Sequence, residues 1–129
     1  MLTRVSDVMH TGRDLPRVSS GSTLAEAIVE MSSKGMGMTS VVDAGEHIAG
    51  IFTDGDLRRC LGRVHDISAT PITAVMTTSP RTIEATRLAI DCVELMETPP
   101  KVSQLLVVDA EKHLVGALHL HDLFRARVV

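Results

Sequence analysis

Two stretches of the sequence repeat each other and decide the fold. "TSVVDAGEHIAGIFTDGDL" spans Thr39–Leu57, and "LLVVDAEKHLVGALHLHDL" spans Leu105–Leu123. They align without a gap at an offset of 66 residues, so that Gly50 corresponds to Gly116. A repeat of this length indicates that one structural unit of about sixty residues occurs twice in the chain.

The repeat extends upstream of these stretches. "DVMHT" at Asp7–Thr11 resembles "AVMTT" at Ala74–Thr78, and the helical patterns that end at Met31 and Met96 also correspond. The offset drifts by one residue in either direction, which indicates short insertions in loops. We therefore predict that residues 1–66 form the first copy and residues 67–129 the second.

Each copy begins with a short amphipathic turn, around Val8–Met9 or Val75–Met76, and a linker. A brief extended piece follows, at Arg17–Ser19 and Arg81–Ile83, and then a helix. The helical apolar residues recur at i, i+3, i+4 and i+7, which predicts one buried face. Its members are Leu24, Ala27, Ile28 and Met31 in copy one, and Leu88, Ala89, Cys92, Val93 and Met96 in copy two. Thr23 and Glu26 have the spacing of a capping box, and Gly35 predicts the C-terminal end of the first helix.

Two aliphatic strands with a tight polar connection follow in each copy, and they predict a hairpin. The connections are Ala44–Glu46 and Ala110–Lys112. Each hairpin leads into a last helix. In copy one, Leu57, Cys60 and Leu61 are predicted to form one face of this helix. In copy two, the helix is predicted to start at Leu123 and Phe124 and to run to the chain end. The order β-α-β-β-α predicts an α/β (α+β) fold in which small mixed sheets carry helices on one face.

The composition excludes several classes of function. The 129 residues carry a net charge of −3 and include two phenylalanines but no tyrosine or tryptophan. This balance disfavours binding to nucleic acid or to an anionic membrane, and no apolar run is long enough to span a bilayer. We expect a cytoplasmic protein in which Cys60 and Cys92 are buried thiols; a disulfide between the two residues is the alternative.

The doubled pattern "VM…VVD…GIFTDGD" and "VM…VVD…GALHLHD" resembles a CBS-domain pair, or Bateman module, over essentially the whole chain. The resemblance implies two copies packed with pseudo-two-fold symmetry and nucleotide binding in clefts between them. More narrowly, "DVMHTG", "GIFTDGDLRR" and "LVGALHLHDLFRARVV" resemble the C-terminal tail of bacterial arabinose-5-phosphate isomerases.

In that isomerase family a catalytic sugar-isomerase (SIS) domain precedes the CBS pair in the same chain. The resemblance implies a parent enzyme that interconverts ribulose 5-phosphate and arabinose 5-phosphate, an early step toward the lipopolysaccharide sugar Kdo. It further implies that these 129 residues are not themselves catalytic, require no cofactor, and form a homodimer through their CBS pairs.

The strand–helix junction "IFTDGDLRR" matches the family's ligand motif Gly-hydrophobic-x-Thr-x-x-Asp at Gly50, Thr53 and Asp56. A carboxylate can accept hydrogen bonds from both hydroxyls of a ribose, and a threonine hydroxyl can donate to phosphate. Asp54 adds a negative charge that disfavours a phosphate unless it points away. The same residues also suit an ordinary helix cap, and the two roles are compatible.

Copy two departs from this motif, because His119 stands in place of the threonine and His121 in place of Gly55, while Asp122 is retained. Histidine can still donate to phosphate, so we predict that the second site is either altered or empty. The spacing of the two histidines is a poor metal signature, so we predict no metal site. The remaining histidines, which we expect to be solvated, are His10, His47, His65 and His113.

Further residues complete the predicted site. By the resemblance, Met38 and Thr39 lie where CBS pairs contact the base. Arg58, like its neighbour Arg59, could reach a phosphate or an acidic sugar, or both could lie on a solvated helix face. The ligand itself stays open between a nucleotide-sugar such as CMP-Kdo and an adenine nucleotide, AMP or ATP. A ligand-free role in dimerisation is the third alternative.

Overall fold

The computed structural model describes residues 2–129, which form two compact units. The middle unit consists of residues 16–80, and the terminal unit consists of the N-terminal residues up to Leu15 together with residues 81–129. The N-terminal piece of copy one therefore belongs to the same unit as most of copy two. The division of the sequence into copies at residues 66 and 67 stays a prediction.

The described chain contains six strands and five helices, besides two short 3-10 turns at Gly12–Asp14 and Ile72–Ala74. In chain order they are α1 Val5–Val8, β1 Arg17–Ser19, α2 Leu24–Lys34, β2 Met38–Val42, β3 Ile48–Thr53, α3 Asp54–Cys60, β4 Thr82–Glu84, α4 Asp91–Glu97, β5 Gln104–Val108, β6 Leu114–His119 and α5 Leu120–Arg125. The predicted β-α-β-β-α order is confirmed in both copies.

The middle unit is built on the sheet β1-β2-β3, with β2 in the centre. β1 runs parallel to β2, with Arg17 opposite Ser40, and β3 runs antiparallel, with Met38 opposite Thr53. The register shifts by one residue between Val41 and Val42. The buried core beside this sheet consists of Leu24, Ala27, Met31, Val41, Phe52, Cys60 and Ile72.

The terminal unit repeats this plan in the sheet β4-β5-β6. β4 runs parallel to β5, with Thr82 opposite Leu106, and β6 runs antiparallel, with Gln104 opposite His119. Its buried core consists of Val5, Ile83, Ala89, Cys92, Met96, Leu105, Val107, Leu118 and Leu123. β3 and β6 therefore end at corresponding residues, Thr53 and His119, and each strand leads directly into a helix.

The predicted ends of α2 are confirmed. The hydroxyl of Thr23 accepts a hydrogen bond from the backbone N–H of Glu26, whose carboxylate accepts from the backbone N–H of Thr23. Gly35 ends the helix with a φ of 68°, a left-handed conformation that favours glycine. α4 is shorter than predicted, because Leu88 and Ala89 precede its first residue, Asp91.

Three local predictions are wrong. Leu61 follows the end of α3 and is exposed, so it does not share the buried face of Cys60. α5 begins at Leu120 rather than at Leu123, and it ends at Arg125 instead of continuing to the chain end. The apolar pattern misleads at these positions because short helices of six or seven residues bury only one or two side chains each.

Cys60 and Cys92 are both buried free thiols, as their apolar helix positions predict. Burial, together with the charge of Asp91, raises the pKa of Cys92 to about 11. None of the helices within residues 2–129 combines the length and the apolar character needed to cross a bilayer.

Candidate functional site

The junction of β3 and α3 forms a capping box between Thr53 and Asp56. Thr53 is the last residue of β3, and its hydroxyl accepts a hydrogen bond from the backbone N–H of Asp56 at 3.2 Å. Asp56 in turn accepts from the backbone N–H of Thr53 at 2.9 Å and from its hydroxyl at 3.1 Å. Thr53 and Asp56 therefore form the helix cap that their sequence pattern predicts.

The Asp56 carboxylate accepts four hydrogen bonds, two at each oxygen. Oδ2 accepts the two from Thr53, while Oδ1 accepts from Nη2 of Arg59 at 2.7 Å and from the hydroxyl of Thr77 at 2.8 Å. Burial alone would raise the pKa of Asp56, but the hydrogen bonds from Arg59, Thr53 and Thr77 outweigh it and hold that pKa below its usual value. Asp56 is therefore an ionised, buried acceptor.

Thr77 reaches Asp56 because its own chain segment pairs with β3. We call residues 74–78 the middle arm, after the repeated "AVMTT". The backbone N–H of Ile51 donates to the carbonyl oxygen of Thr77, and the N–H of Thr77 donates to the carbonyl oxygen of Ile51, both at 2.9 Å. At Gly50 a side chain would lie 2.6 Å from the carbonyl oxygen of Thr77 and 2.7 Å from Sδ of Met76. Glycine is thus required here because the middle arm crosses the strand.

The terminal unit has the same junction with different donors. Asp122 accepts from the backbone N–H of His119 at 2.8 Å, from Nε2 of His10 at 2.9 Å and from Nη2 of Arg125. Burial alone would raise the pKa of Asp122, but these groups outweigh it and lower that pKa. Because the carboxylate is ionised, Nε2 of His10 carries the donated proton.

The contact of His10 corrects a prediction, because His10 is half-buried and paired rather than solvated. It lies on the N-terminal arm, residues 7–11, whose backbone pairs with Ala117 of β6. A side chain at Gly116 would lie 2.6 Å from Sδ of Met9, so this glycine also makes room for an arm. Thr77 and His10 therefore hold equivalent places in the two units.

The altered motif of copy two changes the cap. Nδ1 of His119 accepts a hydrogen bond from the backbone N–H of His121 at 3.1 Å, and the two ring centroids are 4.4 Å apart. Burial and the neighbouring His121 lower the pKa of His119. His119 is consequently a neutral imidazole that accepts at Nδ1 and can donate at Nε2.

The other predicted site residues lie in different surroundings. Met38 and Thr39 on β2 are fully buried. Asp54 is exposed; its backbone N–H donates to the carbonyl of Gly37, and its carboxylate lies beside that residue. Arg58 is exposed on α3.

Arg59, not Arg58, is the arginine that contacts the motif carboxylate, a distinction that the sequence prediction did not make. The signal was available, since side chains three residues apart on a helix lie on the same face. Arg125 repeats the spacing relative to Asp122. Thr77 and His10 were also missed as site residues, although they occupy matching positions in the repeated arm sequences.

One group of side chains has the spacing of cation ligands. Ligand atoms of Asp109, Glu111 and His113 lie within 4.8 Å of one another in the turn between β5 and β6. One oxygen of Asp109 already accepts from the backbone N–H groups of Glu111 and His113, so the group is explained as an aspartate-stabilised turn.

Comparison with known proteins identifies the family. The model of the CBS domain matches residues 5–63 and 72–129. Over all 129 residues the chain is 48% identical to arabinose 5-phosphate isomerase KdsD of Pseudomonas aeruginosa and 43% identical to KdsD of Salmonella typhi. The chain spans 39% of the length of these relatives.

Solved structures share the fold at lower identity. CBSX2 in complex with AMP is 22% identical with a TM-score of 0.79, and 98% of this chain and 96% of that chain are covered. The CBS domain protein PAE2072 from Pyrobaculum aerophilum, complexed with AMP, is 20% identical with a TM-score of 0.81, at coverages of 93% and 89%. The predicted resemblance to a CBS-domain pair and to arabinose-5-phosphate isomerases is confirmed. The chain belongs to the CBS domain family and contains two copies of that domain.

Proposed function

We propose that this CBS pair binds a nucleotide and thereby regulates an arabinose 5-phosphate isomerase of which it is part. The observation that carries the proposal is the ordered Asp56 junction, an ionised carboxylate beside a threonine hydroxyl, in a chain 48% identical to KdsD. The parent would then act in the cytoplasm on sugar phosphates, with its SIS domain as the catalytic partner.

The chemistry of the junction suits a ribose phosphate. Asp56 is the acceptor for the 2′- and 3′-hydroxyls, and Thr53 supplies a hydroxyl at the helix start. In this proposal Met38 and Thr39, which are fully buried, contact the base once binding uncovers them. Asp122 with His119 and His121 forms a second, altered site. The exposed position of Asp54 leaves its charge screened by water, which weakens its repulsion of a phosphate.

The ligand we propose first is CMP-Kdo, a downstream product whose binding would give end-product regulation. An adenine nucleotide is the second candidate, and the AMP complexes of CBSX2 and PAE2072 favour it. Both ligands present a ribose diol and a phosphate, so the Asp56 junction alone does not distinguish them.

Isothermal titration calorimetry with CMP-Kdo, CMP, AMP and ATP tests the proposal. We expect CMP-Kdo to bind in the micromolar range or tighter, and Asp56→Asn to weaken binding by at least about tenfold. Tight binding of AMP or ATP without binding of CMP-Kdo would instead assign an adenine-nucleotide sensor. Regulation is then tested by isomerase assays of the longer protein with and without the ligand.

Absence of binding for all four compounds would reject nucleotide regulation. In that case sedimentation velocity of the 129-residue chain decides whether the remaining alternative holds, since a ligand-free dimerisation module must be dimeric at micromolar concentration. The homodimer proposed for the regulated protein is measured in the same experiment.

A further inference from the structure

The arginine three residues after each motif aspartate contacts the carboxylate in both units. Arg59 donates to Asp56 at 2.7 Å, and Arg125 donates to Asp122. Both arginine side chains are about two-thirds exposed, at 68% and 70%, whereas the two carboxylates are 7% and 5% exposed. The pairing persists although His119 replaces Thr53 and His121 replaces Gly55 in copy two.

The donors to Asp56 differ in how firmly they are held. The backbone N–H of Thr53 belongs to the helix cap, and the hydroxyl of Thr77 is fixed because Thr77 pairs with Ile51 through two backbone hydrogen bonds. Arg59 alone among these donors reaches Asp56 with a long, exposed side chain. Because its guanidinium is largely exposed, Arg59 can leave Asp56 without disturbing the cap or the middle arm, so this donor is the one a ligand can most easily replace.

The guanidinium of Arg59 also lies over the helix start. A side chain at Gly55 would come within 3.3 Å of Nη1 and 3.5 Å of Nη2 of Arg59. When Arg59 leaves Asp56, it is therefore already beside the junction and can pair with an anionic group of the bound molecule.

We propose that Arg59 is a specificity-determining residue that exchanges its partner when a ligand binds. In the free protein it pairs with Asp56, and in the complex the vicinal diol replaces the guanidinium at Oδ1, beside the hydrogen bonds from Thr53 and Thr77, while Arg59 pairs with the ligand's phosphate or carboxylate. The ligand class is therefore a molecule that carries both a diol and an anionic group. This inference rests on the proposed nucleotide binding and deepens it.

The exchange has a consequence for selectivity. A neutral nucleoside would break the Arg59–Asp56 pair without offering the arginine a new partner, whereas a nucleotide offers one. Arg59 should therefore lower the affinity for nucleosides and raise the affinity for nucleotides. These effects have opposite signs although the two ligands share the same base and sugar.

Calorimetry with two matched ligand pairs, AMP against adenosine and CMP against cytidine, tests the inference. We expect Arg59→Met to weaken nucleotide binding by about tenfold and to tighten nucleoside binding by about two- to fivefold, because it removes the charge and the competitor together. Arg59→Lys should retain part of the nucleotide preference, because it keeps the charge but not the planar fork. Arg63→Met removes an exposed arginine of the same unit, outside the contacts of Asp56, and should change neither affinity.

Other outcomes separate this inference from the proposed function. A nucleotide-to-nucleoside preference that is unchanged in Arg59→Met, or a parallel loss of both affinities, would overturn the exchange while leaving nucleotide binding intact. If the wild-type protein and Arg59→Met bind none of the four compounds, and neither ATP nor CMP-Kdo, the proposed function fails and the inference fails with it. Circular dichroism and thermal unfolding of each variant confirm that it is folded.

Discussion

The hydroxyl of Thr77 lies 2.8 Å from Oδ1 of Asp56, although the two residues are separated by 21 positions in the sequence. This bond connects the middle arm to the carboxylate of the ligand motif. His10 and Asp122 repeat the relationship across 112 positions. Each motif carboxylate is thus linked to an arm before any ligand is present.

The Thr77–Asp56 bond should contribute measurably to stability. We expect Thr77→Val to lower the free energy of unfolding by about 1–2 kcal/mol, because a buried carboxylate loses one donor without a change in side-chain volume. Urea denaturation measures this difference. The control is Thr78→Val at the neighbouring position, which is exposed like Thr77 but lies outside the contacts of Asp56, and it should stay within about 0.5 kcal/mol of the wild type. Equal stability of all three proteins would show that the bond is not maintained in solution.

The glycines of the two motifs should tolerate alanine to different degrees. Gly50→Ala should cost about 2 kcal/mol or more, since the new methyl group meets the backbone oxygen of Thr77 at 2.6 Å. Gly116→Ala should cost less, about 1 kcal/mol, because its nearest neighbour is the flexible end of Met9. The control is Gly62→Ala, where no atom lies within 4 Å. Thermal or urea unfolding should rank the variants in this order, and a Gly50→Ala protein as stable as Gly62→Ala would contradict the arm crossing.

His119 should make the stability of the protein depend on pH. Burial and His121 lower its pKa in the folded state, so the unfolded chain binds the proton more readily. The stabilisation is complete above the unfolded pKa of about 6.5 and is lost as the pH falls through the lower folded value. Asparagine can still accept the cap hydrogen bond but does not titrate, so His119→Asn should lose less stability than the wild type between pH 7.5 and pH 5.5.

Urea unfolding at pH 7.5, 6.5 and 5.5 measures this difference. His65→Asn, which replaces an exposed histidine, should keep the wild-type dependence. A His119→Asn protein that loses as much stability on acidification as the wild type would show that His119 does not titrate abnormally.

The two thiols should be unreactive in the folded protein. With a pKa of about 11, fewer than about one Cys92 thiol in a thousand is ionised at pH 7.5, and Cys60 is buried as well. We expect no rapid reaction with dithionitrobenzoate in buffer and two equivalents after unfolding in guanidinium chloride without reductant. A single rapid equivalent before unfolding would contradict the burial of one thiol, and fewer than two equivalents after unfolding would indicate a disulfide.

The elements were predictable from the sequence because their signals are local. The gapless repeat specified both hairpins, and Thr23, Glu26 and Gly35 specified the ends of α2. The capping pair of Thr53 and Asp56 was also predictable, since three residues separate its members.

The missed contacts have two physical causes. Thr77 and His10 reach their aspartates only because the arms pair with β3 and β6, and this pairing is not encoded in any short pattern. Charge alone does not distinguish Arg58 from Arg59; the position on the helix does, since Arg59 lies three residues after Asp56 and shares its face, whereas Arg58 does not.

The composition of the two units has a consequence for how the chain can be divided. A fragment that ended at residue 66 would lack the middle arm, and with it the partner of Ile51 and a donor to Asp56. The complementary fragment would lack Val5, a core residue, and His10. Neither repeat is therefore a self-sufficient folding module. Separate expression of the halves should give two unstable polypeptides, and mixing them should restore structure only if each half supplies the other's missing segment.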